Sequence, residues 1–224
     1  MNCQIPASRV SIRIFKSGDK HRVREIAWNT AFQGTMPQRT KIDKNLLADL
    51  LTLYYTKLEP ESILVADLNG RVVGYIMGSI KPRRFRKKIV QLFLSTILTK
   101  IIFGRYKKIQ RTLPLLLFIV FGLMKGERDP KTEDEYPAHL HINIEGEYQR
   151  SGLGSQLMSA WLQYLGKKRV NGIHLSTISP NKKAISFFEK WGFKLFCRYK
   201  STFWSFASGK PIYVEIFVKK LSHN

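Results

Sequence analysis

A short glycine-bearing loop between a predicted strand and a predicted helix constrains this chain most. Residues 139–144 alternate apolar and polar types, residues 155–168 have helical spacing, and the sequence QRSGLG at 149–154 joins them. The first turn of a helix has N–H groups without acceptors and the positive end of the helix dipole, and glycine lets a ligand approach the backbone closely. We therefore predict an anion-binding loop that suits a pyrophosphate.

Two common phosphate-binding loops do not match this segment. The dinucleotide fingerprint G-x-G-x-x-G requires a third glycine, but the chain has Leu157 there. The loop G-x-x-x-x-G-K-[ST] of nucleotide hydrolases is absent from the sequence. The remaining pattern, Q-x-x-G-x-G, is by itself equally compatible with a glycine turn that begins an ordinary helix.

A second segment, NKKAISFFEKWGF at 181–193, follows an apolar run at 173–178. Ile185, Phe188 and Trp191 have helical spacing, and Gly192 suits the C-terminal cap of a helix. Periodicity alone predicts an amphipathic helix with an aromatic core face.

Together the two segments resemble the GNAT superfamily of acyl-CoA N-acyltransferases. Members carry [Q/R]-x-x-G-x-[G/A] and, further along the chain, N-x-x-A-x-x-[F/Y]-[Y/F]-x-x-x-G-[F/Y]. The matching residues are Gln149, Gly152, Gly154, Asn181, Ala184, Phe187, Gly192 and Phe193. The resemblance covers about residues 138–194 and implies an α/β (α+β) fold with a mixed, mostly antiparallel central sheet flanked by helices.

The rest of the chain fits that fold by pattern only. We predict a strand at 10–15, a helix capped by Ser17 or Asp19, a second helix capped by Asp43, and a hairpin at 62–80 that turns at Asn69-Gly70. A last hairpin is predicted from strands at 193–206 and 211–219, turning at Ser208-Gly209. The predicted domain is 8–224, with a tail at 1–7 and an insertion at 81–126.

The insertion is strongly basic. It holds twelve Lys or Arg and no acid, in a chain of net charge +22, and has apolar runs at 89–103 and 113–124 that are too short to span a membrane. We predict a basic helical hairpin joined around 104–112. Three interpretations stay open: a lid packed on the domain or on a partner subunit (a homodimer included), docking on an anionic membrane surface, and, less favoured, nucleic acid contact.

Cysteine usage and the start of the sequence bear on location. Cys3 and Cys197 cannot form a disulfide framework, and no metal-ligand spacing is present. Residues 1–13 lack the apolar core of a signal peptide. We expect a cytoplasmic protein, peripheral to the membrane if the insertion docks there.

The resemblance implies a reaction as well as a fold. Its cofactor is acetyl-CoA or another short acyl-CoA, and an amine acceptor attacks the thioester directly. Backbone N–H groups would hold the pyrophosphate, and the strand edge would pair with the pantetheine arm. The cofactor-binding residues predicted in this way are Ile142, Asn143, Ile144, Gln149, Arg150, Ser151, Gly152, Leu153, Gly154, Ser155, Asn181, Ala184, Phe187 and Phe188.

An amine attacks only when it is neutral, so a general base is expected. Alternation places His139, His141 and Glu145 on the polar face of the strand before the loop. The order of preference is His141, then His139, then Glu145, since histidine titrates near working pH. The same groups could instead form hydrogen bonds across a solvated groove, because many family members work through water.

The departing thiolate poses a separate question. The family commonly uses a tyrosine of the aromatic pair as the acid, but this chain has Phe187 and Phe188, which cannot donate a proton. Either water or another group assists the thiolate, or the reaction is slow, or the chain only binds acyl-CoA as a sensor or scaffold. The resemblance does not name the amine.

Overall fold

The computed structural model describes residues 10–31, 43–110, 113, 117 and 134–222. In this part of the chain seven strands form one sheet of order β1-β2-β3-β4-β5-β7-β6. The strands are β1 Val10–Ile14, β2 Ile63–Leu68, β3 Arg71–Ser79, β4 Ala138–Ile144, β5 Gly172–Ile178, β6 Lys194–Lys200 and β7 Tyr213–Lys220. The helices are α1 Lys20–Thr30, α2 Lys44–Leu58, α3 Pro82–Leu92, α4 Thr99–Ile102, α5 Leu153–Lys167, α6 Lys182–Lys190 and α7 Thr202–Ser208.

The sheet is antiparallel except where β4 meets β5. These two strands pair in parallel only at Ala138 with Ile173 and at His139 with His174, whereas β4 pairs with β3 from His139 to Ile144. The rest of β4 is therefore separated from β5, and a gap opens in the middle of the sheet. The predicted mixed, mostly antiparallel sheet flanked by helices is confirmed.

Local signals set several element boundaries. The Asp43 carboxylate accepts hydrogen bonds from the N–H groups of Asn45 and Leu46, which makes it the predicted cap of α2. Asn69 and Gly70 have φ of 52° and 85°, the left-handed pair that a two-residue hairpin turn requires. These contacts are local in sequence, which is why the pattern predicted them.

Each face of β4 belongs to a different core. On one face Leu140 packs with buried Trp161 of α5, whose indole N–H donates to the Ser62 carbonyl at 3.0 Å. On the other side of the sheet, buried residues of α1 and α2 pack on β2 and β3, with Ile26 and Tyr55 among them. The alternation of β4 thus directs its two sets of side chains into separate layers.

The predicted last hairpin is wrong in part. Its first strand ends at Lys200 rather than 206, and α7 occupies 202–208 before β7 begins. The Ser201 hydroxyl accepts from the N–H of Trp204 at 3.3 Å, which supports the start of this helix. Phe203 and Trp204 pack in a cluster with Trp28 of α1, a contact between distant segments that overrides the strand pattern.

The first half of the insertion is a helix that packs on α2. A π-helical segment, Phe93–Leu98, joins α3 to α4, and Gly104 with φ of 62° follows their end. Leu92, Ile97 and Tyr106 are buried against the α2 side of the molecule. Residues 109, 110, 113 and 117 are helical, but most of the second predicted helix lies outside the described residues.

A buried carboxylate anchors this insertion. Asp49 of α2 is 1% exposed and accepts hydrogen bonds from the Lys100 ammonium and the Tyr106 hydroxyl, both at 2.8 Å. It also forms an ion pair with Arg24 of α1. Burial acts to raise the pKa of Asp49, but the hydrogen bonds from Lys100 and Tyr106 and the Arg24 charge hold it below its usual range.

Across the described residues, none of the helices is both long enough and apolar enough to cross a bilayer.

Candidate active site

The loop between β4 and α5 has the backbone of an anion cradle. Arg150 and Gly152 have φ of 64° and 86°, so left-handed residues lie on both sides of Ser151. Such alternation turns successive N–H groups toward one concave side. Within the described residues, the N–H groups of 150–154 have no protein acceptor. The cradle lies at the positive end of α5, where an anionic ligand would supply the acceptors.

Two side chains brace the loop. The Gln149 amide donates to the Ile144 carbonyl at 3.1 Å, and the Ser151 hydroxyl donates to the Tyr148 carbonyl at 2.6 Å. Both residues were predicted to bind cofactor, and their side chains tie the cradle to the end of β4. The backbone N–H of Ser151 has no acceptor among the described residues, whereas that of Gln149 donates to the Gly146 carbonyl at 3.3 Å.

The gap beside β4 exposes part of its backbone. Because strand N–H groups alternate in direction and that of Glu145 donates to Val73 of β3, those of Ile142 and Ile144 point toward the gap. This edge leads directly to the cradle. An extended ligand could pair with it as an added strand would.

The two sequence motifs meet at Gly154. A Cβ placed there would lie 3.4 Å from both Ile144 and the Phe187 ring, so β4, α5 and α6 converge on this residue. Phe187 therefore borders the gap, whereas Phe188 is buried in the core with its ring centroid 5.8 Å from that of Phe193. Of the predicted aromatic pair, the structure brings Phe187 to the cradle.

Asn181 begins the second motif as a helix cap. Its side-chain oxygen accepts from the N–H of Ala184 at 3.3 Å at the start of α6. Its amide nitrogen has no hydrogen-bond partner in the described part of the chain and could donate to a ligand. Beyond Leu153, the outer side of α5 and α6 forms an open cleft of about 500 Å³. Its lining residues are Ser155, Gln156, Ser159, Ala160, Gln163 and Trp191.

On the opposite face of β4, His139 is hydrogen-bonded to α2. Its Nε2 lies 2.6 Å from the Tyr55 hydroxyl. Burial raises the pKa of Tyr55 well above its usual value, so the phenol keeps its proton and donates it to Nε2. Burial, with repulsion from His141 and His174, lowers the pKa of His139 well below its ordinary value. The His139 ring is therefore neutral, and its unprotonated nitrogen, Nε2, already accepts the hydrogen bond from Tyr55.

His141 is the accessible member of the pair. Its ring is exposed to solvent yet surrounded by other protein groups, with Tyr55 and His139 ring centroids 5.7 and 5.9 Å away. This combination describes the wall of a concave cleft. Desolvation, with repulsion from His174, lowers the pKa of His141 to about 4, and the water that reaches the ring moderates the effect. The ring is therefore neutral at physiological pH.

The other polar groups of this face have partners. Glu145 forms ion pairs with Arg22 of α1 and, at 3.5 Å, with Arg71. The Asn143 amide donates to the Tyr75 hydroxyl at 2.8 Å and its oxygen accepts from Thr30 at 3.0 Å. These contacts hold α1 against the sheet and leave His141 as the exposed candidate base.

Two further residues of the site have no signal in the glycine and aromatic motifs. Phe85 of α3 lies with its ring centroid 4.5 Å from that of His139, so the insertion forms part of the site wall. Nδ1 of His174, on β5, lies 2.7 Å from the Tyr136 carbonyl oxygen. Because a carbonyl can only accept, Nδ1 carries the proton and donates it. Polar alternation in β5 could have indicated His174, whereas only packing reveals Phe85. Among the described residues, no group of three or more His, Cys, Asp or Glu side chains is arranged to hold a metal ion.

Comparison with known proteins agrees with this geometry. The family model described as Acetyltransferase (GNAT) family matches residues 121–193, which include β4, the cradle, α5, β5 and α6. Among similar solved structures, one titled SsHAT has 24% identity and a TM-score of 0.68, covering 94% of this chain and 98% of that one.

Two other structures are similar at lower identity. An N-acetyltransferase from Staphylococcus aureus has 14% identity and a TM-score of 0.59, covering 95% of this chain and 99% of that one. The putative acetyltransferase yncA from Salmonella typhimurium, solved with its cofactor acetyl-CoA, has 14% identity and a TM-score of 0.59, covering 96% of each chain. These similarities establish the fold, and the family-model match lies on the cradle itself. The GNAT family-model match spans both sequence motifs, from before β4 to Phe193, so it supports the resemblance that the two motifs predicted.

Proposed function

We propose that the chain transfers an acetyl group from acetyl-CoA directly to an amine acceptor. The observation that carries the proposal is the row of N–H groups at 150–154, which have no acceptor among the described residues and lie at the end of the β4 edge that β5 leaves unpaired. An anion cradle that continues into an unpaired strand edge suits a ligand with a pyrophosphate and an amide-bearing arm.

The residues around the gap fit acetyl-CoA in a defined order. The cradle would hold the pyrophosphate, and the cleft along α5 that ends at Trp191 would take the nucleotide end. The N–H groups of Ile142 and Ile144 would pair with the pantetheine arm, and Phe187 would pack along it. Acetyl-CoA supplies the activated acetyl group as a thioester.

His141 is the proposed general base. Its neutral ring faces the cleft and can accept the proton that the acceptor's ammonium must lose. His139 would position it: the hydrogen bond from Tyr55 fixes the His139 ring, which lies against His141. Glu145 remains the third candidate, although its carboxylate is already engaged in ion pairs with Arg22 and Arg71.

The proton for the departing thiolate is proposed to come from water in the open cleft. Phe187, the residue that borders the gap, has no proton to give. The nitrogen of the acceptor forms the amide bond as the carbon–sulfur bond breaks, and the sulfur leaves to solvent.

We further propose that 81–126 is part of the same domain, 8–224, since Asp49 ties Lys100 and Tyr106 to the helical layer.

A screen for acceptors tests the proposal. The full chain is mixed with acetyl-CoA and a panel of amines that includes small amines, amino acids, polyamines and peptides, and thiol release is followed together with the product's mass. We expect thiol release and a matching acetylated product with at least one acceptor. Gly152→Asp, which puts a negative charge in the cradle, should abolish both. Tight acetyl-CoA binding without thiol release for any amine would instead support a chain that only binds acyl-CoA.

A further inference from the structure

The outward side of the insertion changes character along its length. Its inward side packs on α2. Its outward side carries a stripe of solvent-exposed residues at helical spacing: Arg83, Lys87, Gln91, Ser95 and Ile102. The stripe is basic at its start and apolar at its end. The term apolar tip refers here to five exposed side chains: Leu98, Ile102, Phe103, Leu113 and Leu117.

The apolar tip is exposed to an unusual degree. Ile102 and Phe103 are 73% and 72% exposed at the turn that ends α4, and Leu98 lies one turn before them. Leu113 and Leu117, one helical turn apart, are also exposed. Large apolar side chains grouped in this way indicate a surface that meets something other than water.

The charges around the tip indicate which partner that is. Exposed cations surround it at Arg83, Arg84, Lys87, Arg105 and Lys107, and none of them forms an ion pair with an acid of the described residues. The whole segment 81–126 contains no acid. A second copy of a chain with net charge +22 would be repelled by this surface, and exposed leucine and phenylalanine contribute little to phosphate contacts on nucleic acid.

We propose that the apolar tip and its basic surround dock the enzyme on an anionic lipid bilayer. Ile102 and Phe103 would insert among the lipid acyl chains at the interface, and the surrounding cations would contact lipid phosphates and carboxylates. Such docking needs neither a spanning helix nor any change in the core. The docking helix also carries Phe85, which packs on His139, so the active-site cleft would lie close to the membrane.

Vesicle sedimentation tests the proposal. The full chain is mixed with phosphatidylcholine vesicles with and without phosphatidylserine, in low and high salt. We expect binding to the anionic vesicles that is much weaker with phosphatidylcholine alone and that falls as salt rises. The double variant Ile102→Ser, Phe103→Ser should weaken partitioning about tenfold, and Arg83→Gln with Lys87→Gln should also weaken it about tenfold.

Matched control variants distinguish binding through this surface from nonspecific binding to vesicles. Ile14→Ser removes an apolar side chain that is 60% exposed on β1, far along the chain from the tip, and Lys167→Gln with Lys210→Gln removes two exposed cations elsewhere. Both should bind vesicles as wild type does, and thermal unfolding should show that every variant folds. Equal loss in these controls would overturn the proposal, as would absence of vesicle binding, tighter binding of duplex DNA than of anionic vesicles, or self-association that the tip variant abolishes. Acetyl transfer in solution is measured separately and does not depend on this result.

Discussion

The two faces of β4 differ in how they are assembled. The face with Leu140, Ile142 and Ile144 packs on α5, which follows it immediately in the chain, and the cradle is the turn between them. The face with His139 and His141 is completed by α2 and by the insertion, which lie far away in sequence. The proposed cofactor side is therefore built from neighbouring segments and the proposed acceptor side from distant ones. Changes on the two sides should affect different kinetic constants.

The largest expected effect is on the cofactor side. Gly152→Asp strains a residue with φ of 86° and sets a carboxylate where the pyrophosphate would bind. We expect acetyl-CoA affinity to fall about a thousandfold, or about 4 kcal/mol. Calorimetric titration with acetyl-CoA measures it. Gly209→Asp is the control, because its φ of 71° brings similar strain without a cradle, and it should leave affinity unchanged. Equal loss in both variants would attribute the effect to folding.

On the acceptor side, His141→Ala should lower kcat about a hundredfold with little change in acetyl-CoA affinity. His139→Ala should have a smaller effect, since its Nε2 is engaged by Tyr55. Because the pKa of His141 is lowered to about 4, the base stays unprotonated through the neutral range, and kcat should not fall through a pKa near about 6.5 as pH decreases. A full-rate His141 variant would remove His141 from the role of base, whereas a kcat profile that titrates near about 6.5 in wild type but not in His141→Ala would keep that role and show a less desolvated ring.

The attachment of the insertion to the acceptor side can be broken at Asp49. Asp49→Asn leaves Arg24 and Lys100 without their carboxylate, and because both cations are partly exposed we expect a loss of about 2 kcal/mol in the free energy of unfolding. Urea denaturation measures it. A carboxylate with a lowered pKa stabilises the fold above its unfolded value and loses that contribution as pH falls, so the variant and wild type should converge below about pH 4. A constant difference down to acidic pH would contradict this.

A smaller effect is expected at Phe85, where the insertion touches the histidines. Phe85→Ala removes a ring 4.6 Å from Tyr54 and 4.5 Å from His139 by centroid. We expect the KM for the acceptor to rise about fivefold, or about 1 kcal/mol, without a change in acetyl-CoA affinity. The control Phe196→Ala removes an exposed ring on β6. If both variants behave as wild type, the insertion does not shape the acceptor site.

The smallest expected effect separates two roles of Asn181. Asn181→Ala should destabilise the chain by about 1 kcal/mol because α6 loses its cap. Asn181→Asp keeps a capping oxygen and should restore stability, but it lacks the amide donor. If the amide contacts the pantetheine arm, acetyl-CoA affinity stays reduced in the Asp variant; recovery of affinity together with stability would limit Asn181 to capping.

Predictions succeeded where the deciding interaction is local. The Asp43 cap, the Asn69-Gly70 turn and the alternation of β4 each depend on residues within a few positions, so the pattern carried them. The last hairpin failed because Phe203 and Trp204 pack against Trp28 across the molecule and stabilise a helix there. The insertion's first helix was predictable from its periodicity, but its packing on α2 was not.

The sequence by itself predicted the proposed cofactor side of this protein. Two glycines and a helix start specify an anion cradle in a few consecutive residues, because backbone conformation and unpaired N–H groups are local properties. Only the tertiary structure decided which polar group is an accessible candidate for the base. His139, His141 and Glu145 look alike in the sequence, but a hydrogen bond from Tyr55 occupies the first and ion pairs from Arg22 and Arg71 hold the third. Accessibility and charge depend on what packs beside a group, and here those neighbours come from distant parts of the chain.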